Sequence, residues 1–414
     1  MHQGLAISSG SRGARIGIVI LAALALIFVL RTGLSLVLAP VNPVLAHRID
    51  GGNAVALGEL SEARMLGARD DADIADVARI SRTALRASPL EAVALRNIGF
   101  VMAVTGRERE ASRLLELAGR LSLRDYLTHA WLLDYRFRNN QVHGAVDQAD
   151  IVLRQRAETW PVILPALTRL LTDPRVIAPL SQALAAHPYW RGTFMQGLGG
   201  DGVDGDAAFA LLRRLRAIGA PATAAEQANY FLAIAKSAPP SLVYRRWLAL
   251  LPAGTLPADQ ALLRDGDFAG LNAPPPFNWQ FYARDDVYAE LSQGPDGRTK
   301  SLYVSFDGNN QSNFVTQKLM LAPGRYRLRG AAFPDGEIGP GQIAWSLRCG
   351  GLTDSAEVVK VPVVAPRPAW TRFDAAFEIS AGCPSQQLWL IGYPSEVMDP
   401  AALWIDQVSI ARAN

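Results

Sequence analysis

Proton transfer near neutral pH is most often the work of histidine, so the five in this chain, His2, His47, His129, His143 and His187, define where such chemistry could sit. No two stand at HxH or HExxH spacing, and no histidine follows residue 187. A metal pair or a Ser-His-Asp arrangement in the second half of the chain is therefore not expected. His129 and His143 fall in helical sequence and read as packed or surface helix residues. The two cysteines, Cys349 and Cys383, are too few for a cysteine-rich zinc module. No acidic spacing singles out a pair of glycosidase carboxylates. The run Gly197-Leu198-Gly199-Gly200-Asp201-Gly202 fits GxGxxG literally, but no buried strand precedes it, as a dinucleotide site requires. Asp201, Asp204 and Asp206 lack the alternate spacing of a calcium loop, and Asp206 reads as a helix N-cap. The sequence thus predicts no catalytic residue, no cofactor and no enzyme.

Binding chemistry is better represented. A sugar ring lays its apolar face on an aromatic side chain while polar neighbours hold its hydroxyls, so a useful aromatic shares strand parity with polar residues. Tyr282 alternates with Asn278 and Gln280, Tyr303 with Ser301 and Ser305, and Trp370 with Arg372 and Asp374. The plainer alternative for these three rings is partial cover by a loop or by the helices. Trp345, in phase with Ile343 and Leu347, and Trp404, in phase with Val408 and Ile410, are expected in the core. Arg325, Arg327 and Arg329 line one side of a strand. With Arg372 they offer guanidinium groups to an acidic glycan, unless Asp374 and Glu378 neutralise them.

The elements that must carry these residues come in three kinds. With 414 residues, half of them hydrophobic, and a net charge of +3, the chain predicts two or three domains. It lacks the basic stripe of a nucleic-acid binder. Ile16 to Leu30 is an unbroken apolar run of about 22 Å as a helix, and extension to Leu38 gives about 34 Å, enough to span a bilayer. Arg12 and Arg15 precede the run and predict a cytoplasmic N-terminus (1-15), a membrane anchor (16-38) and export of the rest. Arg31 is expected to snorkel towards the interface. A cleaved signal peptide is the rival, but the small-residue site Val44-Leu45-Ala46 stands far beyond the apolar run.

Residues 39-264 read as helical, with an internal beat: Ala84, Ala118 and Val152 recur every 34 residues, as do Val77, Ala111 and Ala145. Gly106 and Asn140, also 34 apart, are residue types that accept the left-handed conformation at a helix end. This period and pattern resemble the tetratricopeptide repeat, an α-solenoid of paired helices. Between its packing positions, Arg96, Asn97, Thr128 and Trp131 are candidate contacts for a peptide in the concave groove, or else part of a solvated face.

From residue 265 to 414, short alternating segments with turns at Asp307-Gly308, Pro323-Gly324 and Asp335-Gly336 predict an antiparallel β-sandwich. Asp265-Gly266-Asp267-Phe268, Pro276-Phe277-Asn278-Trp279 and the closing Trp404-Ile405-Asp406-Gln407-Val408 resemble the jelly-roll carbohydrate-binding modules. That resemblance implies glycan binding and a structural calcium carried by Asp267 and Asp406, although Ala269 stands where an acid is usual. The whole α + β multidomain layout is similar to Gram-negative envelope proteins linked to exopolysaccharide assembly. It implies a non-catalytic scaffold in the inner membrane, its bulk in the periplasm, with polysaccharide and envelope proteins as partners. A purely protein-binding scaffold and a glycan-modifying enzyme are the alternatives. In an oxidising periplasm Cys349 and Cys383 are expected to pair, the alternative being two buried thiols.

Overall fold

The computed structural model describes residues 11-252, 262-282, 287-339, 341-350, 356-394 and 400-413, with side chains from residue 16 onward. The N-terminal segment up to residue 10 and the side chains of Arg12 and Arg15 lie outside the described residues. Two compact units divide the chain, Met1–Trp160 and Pro161–Asn414.

The first unit is helical: α1 (Ser11–Leu38), α2 (Pro43–Ile49), α3 (Ala54–Gly67), α4 (Asp71–Ala87), α5 (Ala92–Val104), α6 (Glu108–Leu121), α7 (Tyr126–Arg138) and α8 (Val142–Gln155). Within α1, Ile16–Leu38 is 23 residues long with mean hydropathy 2.4, the one helix among the described residues long and apolar enough to cross a membrane. Its last turns are held by protein. Arg31 donates to the Ile49 carbonyl and pairs with Asp50 at 3.1 Å. Ser35, fully buried, donates to Ala46 O and accepts from Asn53 Nδ2. Small residues, Ala39, Ala46 and Ala56, allow α1 to close on α2 and α3.

The pairs α5-α6 and α7-α8 repeat one another, each helix of the second pair starting 34 residues after its counterpart. Gly106 (φ 81°) and Asn140 (φ 60°) both turn left-handed, as their residue types foretold. Both turns close with the same two bonds, Arg107 N to Met102 O with Gly106 N to Ala103 O, and Gln141 N to Arg136 O with Asn140 N to Phe137 O. The periodic residues Val77, Ala84, Ala111, Ala118, Ala145 and Val152 are all buried. His129 is a satisfied helical histidine between Gln148 and the Ser122 carbonyl.

The second unit opens with α9 (Trp160–Arg169, its first residue on the other side of the division), α10 (Pro174–Ala185), α11 (Arg191–Gly197), α12 (Gly205–Ala217), α13 (Ala224–Ser237) and α14 (Pro240–Leu250). Asp204 rather than Asp206 caps α12, accepting from the amides of Asp206 and Ala207. The helices adjoin the β part through Trp247, whose indole donates to Pro274 O and packs on Phe277.

Among the described residues ten strands follow: β1 (Gln280–Phe281), β2 (Val287–Gln293), β3 (Lys300–Phe306), β4 (Ser312–Leu319), β5 (Gly324–Pro334), β6 (Ile343–Cys349), β7 (Glu357–Pro362), β8 (Thr371–Ile379), β9 (Gln386–Gly392) and β10 (Ala401–Arg412). They form two antiparallel five-stranded sheets, a back sheet β1-β4-β9-β6-β7 and a front sheet β2-β3-β10-β5-β8. Alternation drives the sandwich: Leu302, Val304 and Phe306 of β3 and Tyr326 and Leu328 of β5 point inward, onto Phe314, Trp345, Leu388 and Leu390 of the back sheet. Trp345 is fully buried, as its phase predicts. Cys349 and Cys383 are joined in a disulfide that closes a 34-residue separation around β7 and β8.

Candidate functional site

The decisive local feature is an irregularity in β10. Strand parity was expected to carry Trp404 inward together with Val408 and Ile410. Instead the register against β5 shifts between Asp406 and Ser409, and Gln407 adopts φ 53°. The extra residue of this bulge inverts the alternation. Leu403 and Ile405 are buried before it and Val408 and Ile410 after it, so Trp404 faces outward.

The bulge is pinned by the opening motif of the β part. Val408 N donates to Gly266 O at 2.7 Å, and the two backbones approach so closely that a Cβ on residue 266 would lie 1.7 Å from Val408 O. Only glycine fits there. Around it, Trp279 donates to Asp265 O, while the Asp265 carboxylate accepts the amides of Gly270 and Leu271.

Turned outward, Trp404 completes a row of rings on the front sheet. Register aligns Glu290 of β2, Tyr303 of β3, Trp404 of β10 and Phe333 of β5 on one line across the strands. Trp370, just before β8, continues it beside Phe333. Ring centroids are 5.0 Å apart for Tyr303 and Trp404, 6.1 Å for Trp404 and Phe333, and 5.9 Å for Phe333 and Trp370; Tyr288 joins the Tyr303 end at 6.3 Å. The contacts are tilted or edge-to-face, so the rings brace each other and present a stepped surface. Both ends are open, Tyr288 being 45% and Trp370 38% exposed. At strand spacings of about 4.8 Å, Tyr303 to Trp370 covers about 14 Å.

Polar groups border the row. Tyr303 donates to Asp335 Oδ2 at 3.0 Å, and burial followed by that bond raises its pKa, keeping the hydroxyl protonated. A hydrogen bond to Glu290 does the same for Tyr288. On the other flank, the β10 bulge opens a depression of about 390 Å³ lined by Arg329, Arg372, Asp374, Gln407 and Ser409.

The expected arginine face exists but is largely neutralised. Arg327 and Arg329 pair with the two oxygens of Asp374 at 2.8 and 3.2 Å, and Arg325 approaches Glu378 at 3.7 Å. The bond to Arg327 leads in holding the Asp374 carboxyl below its usual range. Arg372 is exposed and makes no ion pair among the described residues.

The structure therefore brings Tyr303, Trp370 and Arg372 to one face and leaves Tyr282 on the other. Tyr282 adjoins β1 of the back sheet, its ring 5.8 Å from buried Trp389. Trp404, Phe333 and Tyr288 were not singled out as binding residues. Tyr288 alternates with exposed Glu290 and was legible by parity, whereas Trp404 needed the bulge. Asp267 is exposed and Asp406 half-buried; burial first, then nearby Asp267, raises the Asp406 pKa. Among the described residues no group of three His, Cys, Asp or Glu side chains gathers as a metal site.

In the first unit, Asn97 and Thr128 are buried and cannot line an open groove. Asn97 donates to Ser61 Oγ, and Thr128 to Asp125. The partner of Asn97 lies on α3, whereas Thr128 bonds the residue that precedes its own helix. Trp131 is half-buried and stacked on Tyr135 at 5.0 Å. Arg96, 5% exposed, lies between Glu62 (2.7 Å) and Asp125 (2.9 Å), in the lining of a hollow of about 570 Å³ that Glu59, Tyr126 and Arg156 share.

No protein-family model matches the chain, and no curated protein does. Solved structures do resemble its C-terminal part. A putative sugar binding protein from Bacteroides thetaiotaomicron is 11% identical, covers 37% of this chain and 100% of its own, and gives a TM-score of 0.28. A family 4 carbohydrate-binding module is 15% identical over 36% of this chain and 99% of its own, with a TM-score of 0.28. The enzymatically active domain of bacteriophage CBA120 tailspike protein 4 is 12% identical over 37% of this chain, with a TM-score of 0.28, and this chain spans about a fifth (21%) of it.

Proposed function

We propose that this protein is a membrane-anchored periplasmic scaffold that binds a polysaccharide on the front sheet of its sandwich and serves exopolysaccharide or surface-polysaccharide assembly or export. The observation that carries the reading is the row Tyr303, Trp404, Phe333 and Trp370, set on one line across the strands with hydroxyl, carboxyl and guanidinium groups on both flanks. Apolar sugar faces stack on such rings while the flanking groups take the hydroxyls. The 23-residue apolar helix supports an anchor, and the disulfide supports an oxidising compartment for the sandwich. The paired helices supply a tetratricopeptide-like platform for envelope proteins, with the hollow around Arg96 replacing the groove read from sequence. The site binds and does not cleave.

The test uses the full chain in lipid nanodiscs on a glycan array, followed by titration of the best ligand against Trp404→Ala and Trp370→Ala. Loss of one stacking contact should weaken binding by roughly 5- to 30-fold, about 1 to 2 kcal/mol. If both variants bind as the wild type does, the aromatic row is not the site. If no glycan binds at all, the sandwich serves protein contacts.

A further inference from the structure

Acidic and basic groups are distributed unequally along the aromatic row. At the Tyr303 end stand Glu290 and Asp335. Arg372 stands two residues from Trp370, while Arg329, Arg327 and Arg325 follow along β5 away from the row and, among the described residues, pair with Asp374 and Glu378 of β8. Asp374, which also lines the depression, is held by Arg327 and Arg329, one to each oxygen. That leaves Arg372 exposed and unmatched at the mouth of the depression beside the Gln407 bulge. In the cross-strand line, Arg372 opposes Ala331, which opposes Asp406. Two strand spacings, about 10 Å, thus separate the strands of Arg372 and Asp406. The Asp406 carboxylate moreover accepts the Gln407 amide at 2.6 Å. Among the described residues no acid pairs with this guanidinium.

Resting on the glycan reading above, we infer that the depression lined by Arg372, Gln407 and Ser409 is a subsite for a carboxylate on the sugar, and that the ligand is an acidic, uronate-bearing polysaccharide. A sugar stacked at the Phe333–Trp370 end of the row lies two residues, about 7 Å, from Arg372. The guanidinium fork matches a carboxylate through two parallel hydrogen bonds, while Gln407 and Ser409 offer neutral donors to the ring hydroxyls. The depression borders the bulge: the register shift that turns Trp404 outward falls between Asp406 and Ser409, and Gln407 and Ser409 contribute to the lining. The sequence groups Arg372 with Arg325, Arg327 and Arg329 and offers Asp374 and Glu378 as partners; the fold gives those two acids to the β5 arginines.

The experiment titrates nanodisc-embedded full chain with oligogalacturonate and with the same oligosaccharide after carboxyl reduction, at low and physiological salt. Wild type should bind the acidic chain about tenfold more tightly, with a preference that shrinks as salt rises. Arg372→Ala should erase the preference, weakening the acidic chain about tenfold more than the reduced one; Arg372→Lys, a point charge without the fork, should keep only part of it. Trp404→Ala should weaken both ligands alike. Equal affinity of wild type for the two chains, or a preference that survives Arg372→Ala, overturns the subsite while leaving the glycan reading standing. Failure of both chains to bind overturns the subsite as well, and the glycan array then decides the wider reading.

Discussion

Replacement of Gly266 by alanine addresses the link between the opening motif and the site. The added Cβ would sit 1.7 Å from Val408 O and 2.8 Å from Leu263 Cδ2, against closest real contacts of 3.0 Å or more, so backbone must move by over 1 Å. A core cannot absorb that by turning a rotamer, because the obstacle is main chain. Overpacking of this kind costs about 1 to 3 kcal/mol, and loss of the Val408 N to Gly266 O bond adds about 1 kcal/mol. For a unit of this size each kcal/mol lowers Tm by about 2 to 4 °C, so a fall of roughly 5 to 15 °C is expected. Displacement of β10 also disturbs the bulge, so glycan affinity should drop even at temperatures where the variant is folded. Calorimetry and titration on Gly266→Ala check both, with Gly192→Ala as control, since a Cβ there meets nothing within 4 Å. A variant with wild-type Tm and wild-type affinity would refute the claim that Gly266 sets the bulge.

Two further outcomes are expected. Replacing both Cys349 and Cys383 by serine should destabilise the second unit by about 3 to 4 kcal/mol, the chain-entropy value for a loop of this length, with a Tm shift that dithiothreitol reproduces in the wild type. Glu226 pairs with Arg191, whose side chain is only 3% exposed, so Glu226→Ala leaves a buried cation unpaired and should cost about 3 to 5 kcal/mol in urea unfolding at pH 7. Burial alone would raise the Glu226 pKa, but the bonds from Arg191 and the Thr223 amide outweigh it and depress it below its ordinary value of 4.5. The pair's contribution is therefore complete above about pH 4.5 and fades as pH falls through the depressed value. The stability gap between wild type and Glu226→Gln should narrow there; a constant gap across pH would show that the charge is irrelevant.

Sequence by itself determined the elements whose signals are local. A 23-residue apolar run, a 34-residue beat of small and large residues with Gly106 and Asn140 at its turns, and period-two strands each report a backbone conformation that nearest neighbours dictate. It also placed Cys349 and Cys383 in one domain and read Trp345 as core. What it could not decide were the facts that depend on partners distant in the chain. Asn97 is buried with Ser61 of α3, 36 positions earlier, and Arg31 meets Asp50 only when α1 folds back on α2. Asp374 neutralises Arg327 and Arg329 because β5 and β8 pair in that register. Trp404 is the sharpest case. Its parity is correct for an uninterrupted strand, but a single left-handed residue, Gln407, held by Gly266 some 140 positions earlier, reverses it. One extra residue in a strand moves a side chain from one face of a sheet to the other, and only the tertiary contact that holds the bulge determines which face that is.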